Sequence, residues 1–300
     1  MALIRGAPAR PPARRRLHGG TGQCVSRLVA ALLLLPPVLV AMGDQSAIAQ
    51  PASETLVFAG CDSNIPLTRH LARVFMQNHP EVKIQLTTVG STNGVALAAA
   101  GAIEIGLVSR PLREAEEGLG LTFLPYAKTA VIIGADPDTP DTTLTAAELL
   151  SFYRGTKLRW NSGREIILLT REEGDSSVAS LKEAIPGFAE AYAAGSNTSH
   201  WTILYSEPQM HEALLMLPFA LGLTDLGTMT LERLPIKVLA VDGAAPTLEN
   251  IASGRYPFVK TLGFVWRDET LPVSARAFVK FVHSEEGAGL LRAHGYLPVR

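Results

Sequence analysis

The chain has 300 residues, of which 47% are hydrophobic and 18% charged, enough apolar material for one large domain or two small ones. The absence of a fixed-period repeat, a low-complexity tract or a long charge run excludes repeat proteins and disordered tails. Residues 1–49 hold six of the 27 basic and one of the 28 acidic residues, so the remainder has a net charge of −6. This charge argues against nucleic acid or anionic membrane as a general partner.

The first 49 residues have the parts of a secretory signal peptide. Six arginines precede an apolar run at 28–42, and Ala47-Ile48-Ala49 then forms an A-x-A cleavage sequence. We therefore expect residues 1–49 to be removed and the mature protein to lie in the periplasm. A short membrane anchor is the alternative, but Pro36-Pro37 interrupts the run. Both the general secretory and the twin-arginine export routes stay open.

The cysteines and histidines give little sign of metal or redox chemistry. Cys24 lies in the predicted signal peptide, and Cys61 is then alone, so the mature chain has no internal disulfide. No cysteine or histidine spacing resembles a metal site. We expect no metal, no cofactor and a buried, unreactive Cys61.

The next elements alternate between strand and helix. Leu67, Leu71, Val74 and Phe75 follow the helical period, and His79-Pro80 ends that helix. The predicted elements are a strand at 55–59, this helix, a strand at 82–86, a turn at 90–94, a helix at 95–100 and a strand at 103–108.

The second half repeats the plan of strand, polar turn and helix. Thr145 and Glu148 form a capping box that begins a helix. The predicted elements are a strand at 130–135, the capped helix to 153, a strand at 166–170, helices at 176–185 and 212–217, a strand and turn at 221–229, a strand at 261–265, and helices at 273–282 and 284–294. This alternation predicts an α/β fold.

Several polar turns follow strands directly and precede helices. One of them, TREEGDSS at 170–177, combines an arginine, three carboxylates and two serines. In open α/β sheets ligands bind at the carboxyl ends of strands, and the free N–H groups of helix N-termini favour anions. The turns therefore predict a local anion site in an otherwise acidic protein.

The segments GCDSNIPL, VKIQLTTVGSTNGVALAAAGAIEIGLVSRPLREAE, TREEGDSS, RYPFVKTLGFVWR and SEEGAGLLRAHGYLPV resemble the phosphate-binding proteins of bacterial ABC transporters. The resemblance covers most of 54–300 and rests on the order and spacing of these segments. It implies a type-II periplasmic binding protein, a two-lobed α/β fold in which each lobe is a mixed sheet flanked by helices and the cleft between them holds the ligand. We expect lobe I at 50–127 and 258–300, and lobe II at 128–257.

The resemblance also implies ligand residues, carried over position by position. The expected oxyanion ligands are Ser63 in the first loop, Ser91 and Thr92 in the second, Arg110 in the third, and Arg171, Gly174, Ser176 and Ser177 in the fourth. The implied partners are inorganic phosphate or a similar oxyanion and an ABC transporter permease in the inner membrane. The protein is expected to be a monomer that does not bind nucleic acid.

Three residues depart from the family pattern. Asp62 and Asp175 stand where small or hydroxyl residues are common, and a carboxylate within about 4 Å of a dianion costs several kcal/mol. The aspartates either point away and cap helices, or accept protons from a protonated ligand, or the ligand is not phosphate. Arg110 stands where many phosphate receptors carry an aspartate, and it would suit a fully ionised anion such as sulfate or molybdate. It could instead pair with Glu114, four residues on.

Three functions are consistent with these patterns. The first is a solute receptor that captures phosphate or a related tetrahedral oxyanion for an ABC importer. The second is a periplasmic sensing or interaction module with the same fold. The third is a hydrolase, but the chain has no G-x-S-x-G, HExxH or Walker motif. We therefore expect no enzymatic activity and assign no catalytic residue.

Overall fold

Strands and helices alternate along the chain in a mixed α/β structure, as the hydrophobic pattern predicts. The computed structural model describes residues 53–196, 198 and 200–299. The predicted signal peptide at 1–49 lies outside the described residues. Within the described segments, every helix is too short or too polar to cross a membrane.

The described residues contribute eleven strands to one sheet. These strands are β1 (Glu54–Gly60), β2 (Val82–Thr88), β3 (Ile105–Val108), β4 (Thr122–Ala135), β5 (Thr143–Leu144), β6 (Ile167–Arg171), β7 (Trp201–Leu204), β8 (Ala220–Asp225), β9 (Lys237–Val241), β10 (Val259–Trp266) and β11 (Leu297–Pro298). The main order is β2-β1-β3-β10-β4-β8-β6-β7, with β9 and β11 also paired to β4 and β5 paired to β9. β1, β2 and β3 are mutually parallel, as are β6, β7 and β8, so their carboxyl ends collect the loops that follow them.

The helices cover both the predicted positions and some that the sequence analysis misses. They are α1 (Ile65–Asn78), α2 (Ser91–Ala99), α3 (Glu114–Glu117), α4 (Ala146–Arg154), α5 (Ser176–Ala184), α6 (Phe188–Ser196), α7 (Glu207–Met216), α8 (Leu226–Glu232), α9 (Leu248–Ala252), α10 (Val273–Val282) and α11 (Glu285–Ala293). The predicted helix after residue 66 is confirmed: Leu67, Leu71 and Phe75 are buried, and His79 ends α1. The Thr145 capping box at the start of α4 is also confirmed.

Two long antiparallel strands cross the middle of the sheet. β4 is 14 residues long and pairs with β10 through its first part and with β8 and β9 through its last part. Tyr126 and Ala127 on β4 pack in one hydrophobic core, whereas the residues from Ala130 onward pack in another. On β10, Leu262 and Phe264 belong to the first of these cores.

We call these the first core and the second core. The first core contains Leu56 of β1, Leu71 of α1 and Phe278 of α10. The second contains Leu168 of β6 and Val178 of α5. Core membership changes close to the predicted limits between 127 and 128 and between 257 and 258. The signal-peptide limit and the two lobe limits stay predictions.

The predicted turn at 90–94 is wrong, because helix α2 begins at Ser91. Gly90 has a φ of 80° and turns the chain in a single residue. A Cβ at Gly94 would lie 2.8 Å from the Ala59 carbonyl oxygen, so glycine lets α2 pack directly on β1. Ser, Thr, Asn and Gly are weak helix formers, and tertiary packing overrides their propensity here.

The sequence analysis also predicts no element between 187 and 211, where the structure has α6 and β7. Phe188, Ala191, Tyr192 and Gly195 are buried at helical spacing along α6. The small and polar residues that follow α6 resemble a loop and mask this pattern.

Candidate functional site

A cavity of ≈540 Å³ lies where several strand ends converge. The loop after β1 contributes Asp62, and the loop after β2 continues into the first turn of α2 with Ser91 and Thr92. The end of β6 and the start of α5 contribute Arg171 and Ser176. Two helix N-termini thus open onto one space, and such termini carry backbone N–H groups without intrahelical partners.

Arg171 is the central cation of this cavity wall. The residue is only 2% exposed, although it ends a strand at the cavity. Its Nη2 lies 3.0 Å from Oδ2 of Asp62 and 3.1 Å from Oδ2 of Asp175. Burial alone would lower the pKa of the guanidinium, but Asp175, Glu207 and Asp62 outweigh burial and raise it.

The side chains of Asp62 and Asp175 therefore turn toward the arginine. Asp175 also caps α5, because its Oδ1 accepts a 2.7 Å hydrogen bond from the Ser177 backbone N–H. Asp62 accepts a 2.9 Å hydrogen bond from the backbone N–H of Glu207 through Oδ2. Both carboxylates share Arg171, and one of them also has the expected capping role.

Arg110 lines the same cavity but is already neutralised. Its guanidinium donates to both carboxylate oxygens of Glu116, at 2.6 and 2.7 Å. The predicted alternative pairing with Glu114 is wrong, because Glu116 takes this place. The hydrogen bond from Arg110 is the main cause that lowers the pKa of Glu116. A bidentate pair of this kind fixes the arginine and cancels most of its charge at longer range.

The hydroxyls of the second loop already accept hydrogen bonds and retain a proton to donate. Ser91 Oγ accepts from the Ser109 backbone N–H at 3.2 Å. Thr92 Oγ1 accepts from both Arg110 and Arg113 at 3.3 Å. These hydrogen bonds hold each hydroxyl oxygen in place, and each hydroxyl keeps its own proton available to donate.

Of the buried side-chain polar atoms that have no hydrogen-bond partner within the described chain, four belong to residues on this cavity wall or beside it. They are Nη1 of Arg171 and the Oγ atoms of Ser109, Ser176 and Ser177. Ser109 lines an adjoining cavity of ≈500 Å³ rather than the first one, and Ser176 and Arg110 border both cavities. Buried donors are satisfied in folded proteins as a rule, so these four atoms are available to a ligand that accepts hydrogen bonds.

Ser63 lies beneath the cavity rather than on its wall. Its hydroxyl donates to Oε1 of Glu207 at 3.3 Å and accepts from the Lys260 ammonium at 2.9 Å. Of the other expected ligands, Gly174 lines the cavity, and Ser177 is fully buried behind it. The ligand roles of all eight residues stay predictions.

A buried ionic cluster supports the cavity floor. The Lys260 ammonium lies 3.6 Å from Glu207, and both side chains are almost completely buried. Burial would raise the pKa of Glu207, but Lys260, His211 and Arg171 lower it to about 2. Burial would lower the pKa of Lys260, but Glu207, Asp175 and Asp225 raise it. Both groups are therefore charged at neutral pH.

No sequence motif predicts a role in the site for Lys260, Glu207 or Arg113. A signal for Lys260 is present, since a lysine inside the apolar run of β10 is expected to be paired if it is buried. Glu207 follows the N-cap Ser206, where an acidic residue is common at a helix start and indicates no particular site.

The described residues contain no group of histidine, cysteine and acidic side chains that could hold a metal ion. Cys61 is buried and forms no disulfide. Burial is the main cause that raises the pKa of its thiol, which makes the thiol a weak nucleophile.

Comparison with known proteins decides the family. A family model described as PBP superfamily domain matches residues 45–286. The chain belongs to this superfamily. The chain is similar to curated proteins named phosphate-binding protein PstS. It is 24% identical to the one from Bacillus subtilis (strain 168) over 259 residues, 83% of this chain and 82% of the relative. Identity to the one from Borreliella burgdorferi is 20%, over 83% of this chain and 91% of the relative.

Solved structures agree on the fold of this PBP superfamily chain. A candidate phosphate ABC transporter substrate-binding protein from Clostridium perfringens, solved with bound phosphate, superposes with a TM-score of 0.74 at 23% identity, covering 82% of this chain and 100% of that one. An ABC-type phosphate transport receptor from Vibrio cholerae gives 0.61 at 22% identity, covering 81% and 99%. The expected two-lobed α/β fold of periplasmic binding proteins is confirmed.

Proposed function

We propose that this protein is a periplasmic receptor that captures phosphate, or a related tetrahedral oxyanion, and delivers it to an ABC importer permease. It binds its ligand in the cavity beside Arg171 and does not turn it over. The PstS-type relatives and the phosphate-bound neighbour support the ligand class. The predicted signal peptide supports the location.

The four unpartnered donors carry the proposal. Arg171, Ser109, Ser176 and Ser177 together offer one cationic N–H group and three hydroxyls, all shielded from water. A tetrahedral oxyanion has acceptor oxygens in every direction and can accept from several donors at once. The N-termini of α2 and α5 add a favourable electrostatic field for an anion.

The carboxylates favour phosphate among the oxyanions. Glu116 neutralises Arg110, so the extra cation that would suit a fully ionised anion is already paired. Asp175 places acceptor oxygens beside Arg171. Phosphate near neutral pH retains a proton that it can donate to a carboxylate, whereas sulfate does not. We therefore place phosphate before sulfate and molybdate.

Isothermal titration of the purified protein with phosphate, arsenate, sulfate and molybdate tests the proposal. We expect phosphate to bind with a Kd of about 1 μM or tighter, with arsenate next. If sulfate or molybdate gives a binding signal and phosphate does not, the ligand is a different oxyanion. If none of the four anions gives a binding signal, the proposed receptor function is wrong.

Two serines allow a variant that separates binding from folding. Replacing both Ser176 and Ser177 by alanine removes hydroxyls without partners in the described chain, so we expect an unchanged or slightly raised Tm without ligand. At about 1 kcal/mol per lost hydrogen bond, phosphate affinity should fall by roughly ten- to thirtyfold. Ser253→Ala, which removes an exposed hydroxyl far along the chain, is the matched control and should change neither.

A further inference from the structure

The side chain of Asp62 occupies donors that an oxyanion would use. Its two carboxylate oxygens accept from the backbone N–H of Ser63 at 2.9 Å, the backbone N–H of Glu207 at 2.9 Å and Nη2 of Arg171 at 3.0 Å. Two backbone N–H groups and one guanidinium make a typical environment for a bound anion. The chain's own carboxylate lies in it.

These contacts join the two sides of the molecule. Asp62 follows β1, whose Leu56 and Phe58 pack in the first core. Arg171 ends β6, whose Leu168 packs in the second core. Glu207 begins α7, which lies on the same side because its Met210 packs with Leu169 of β6. The two contacts bridge 109 and 145 residues of sequence. Asp175 differs, because it lies in the same segment as Arg171. It therefore stays beside Arg171 even if the parts of the molecule that carry the two cores move apart.

We infer that Asp62 is an affinity-determining residue that competes with the ligand for Arg171 and links the two sides of the cleft when no ligand is bound. This inference rests on the proposed function. An incoming oxyanion meets only Nη1 of Arg171 free, and it gains Nη2 and the Glu207 N–H only by displacing the Asp62 carboxylate. Binding is therefore weaker than the donor set alone would give, since the carboxylate must be moved away from its partners.

The opposite role would make Asp62 an acceptor for a proton of bound phosphate. The two roles predict changes of opposite sign for the same variant. If Asp62 competes, Asp62→Ala tightens phosphate binding. If Asp62 accepts a ligand proton, Asp62→Ala weakens it. No assumption about the exact ligand pose is needed to separate them.

Phosphate titration of the wild type, Asp62→Ala and Asp62→Asn is the direct test. We expect Asp62→Ala to bind phosphate on the order of a hundredfold more tightly, the size of effect of removing one nearby unit charge at an effective dielectric constant of about 20. The phosphate affinity of Asp62→Asn should lie between those of the wild type and Asp62→Ala, because the amide oxygen of asparagine can still accept hydrogen bonds from the same donors. Unchanged or weaker binding by Asp62→Ala would overturn the inference.

Glu172→Gln is a charge-matched control. Glu172 lines the same cavity but is exposed, and no ion pair joins it to Arg171. Like Asp62→Ala, Glu172→Gln removes one negative charge. Because solvent screens this exposed position, the variant should change phosphate affinity by less than about threefold. An equal gain in Glu172→Gln and Asp62→Ala would assign the effect to net charge and refute the competition.

Small-angle X-ray scattering without ligand gives a second, independent measurement. The loss of the Asp62 contacts should increase the radius of gyration of Asp62→Ala over that of the wild type and of Glu172→Gln. If no variant binds phosphate, the proposed function fails, and the scattering still decides whether Asp62 links the two sides. If Asp62→Ala and the wild type have the same radius of gyration and the same phosphate affinity, Asp62 neither competes with the ligand nor links the two sides of the cleft.

Discussion

Replacing Lys260 by methionine tests whether the ionic cluster under the cavity supports the fold. Lys260 lies on β10 at the crossing between the two cores, and its side chain has no exposed surface. Its ammonium contacts Ser63 Oγ at 2.9 Å and Glu207 Oε1 at 3.6 Å. Methionine keeps most of the side-chain volume and removes the charge.

The distances set the expected magnitude. Two unit charges 3.6 Å apart attract by about 4–5 kcal/mol at an effective dielectric constant of about 20. Removing one partner of a buried pair typically costs about 3–5 kcal/mol, because the other charge is left buried. Glu207 retains Thr224 and His211 as neighbours, so we expect the free energy of unfolding to fall by about 3 kcal/mol. The pKa of Glu207 should rise from about 2.

Urea unfolding followed by circular dichroism measures this change. The matched control is Lys128→Met on the neighbouring crossing strand β4, where the lysine is exposed and should contribute less than about 0.5 kcal/mol. The double variant Lys260→Met with Glu207→Gln should recover part of the loss, because no unpaired charge remains. Equal stability of Lys260→Met and Lys128→Met would refute the argument that the pair is buried and coupled.

Two further predictions concern the backbone and the pH dependence. Gly60→Ala should lower the free energy of unfolding, measured with urea, by at least about 2 kcal/mol, since a Cβ there would lie 1.9 Å from the Leu107 carbonyl oxygen. The control is Gly118→Ala, which should leave the stability unchanged because a Cβ there meets no atom within 4 Å. Burial is the main cause that raises the pKa of Asp225 to about 6, above its unfolded value near 4. Between pH 4 and pH 6 the folded state therefore binds more protons than the unfolded state. The contribution of Asp225 to the free energy of unfolding falls as pH rises through this range. Asp225→Asn should therefore gain stability relative to the wild type by up to about 2 kcal/mol between pH 4 and pH 7, and a constant difference across that range would contradict the shift.

Much of the fold is predictable from local pattern. The periods of α1, α5, α10 and α11 and the apolar runs of β1, β4 and β6 lie in the sequence, and the structure confirms these elements. Where local propensity and tertiary packing disagree, the prediction fails. The clearest case is Ser91–Ala99, where Gly94 lets a weakly helical segment pack on β1.

The candidate site divides in the same way. The sequence places five residues on the cavity wall, because each ends or follows a strand and begins or precedes a helix: Arg171, Ser91, Thr92, Gly174 and Ser176. Nothing in the sequence indicates that Glu116 neutralises Arg110, or that Ser63 is bound beneath the cavity by Lys260 and Glu207. The Ser63 contacts join residues 144 and 197 positions apart, which only the packing of distant elements brings together. Arg110 and Glu116 are six residues apart, and the path of the loop before α3 decides that they meet.

The sequence by itself determined the α/β class, the polar turns at strand ends and the residue types of the candidate oxyanion site, because these depend on neighbours within a few positions along the chain. Only the tertiary structure decided the roles of the charges. Asp62 meets Arg171 and Glu207 across more than 100 residues of sequence. Whether a carboxylate repels, caps or competes depends on distances of a few ångströms between such residues, since electrostatic energy falls with separation and rises with burial.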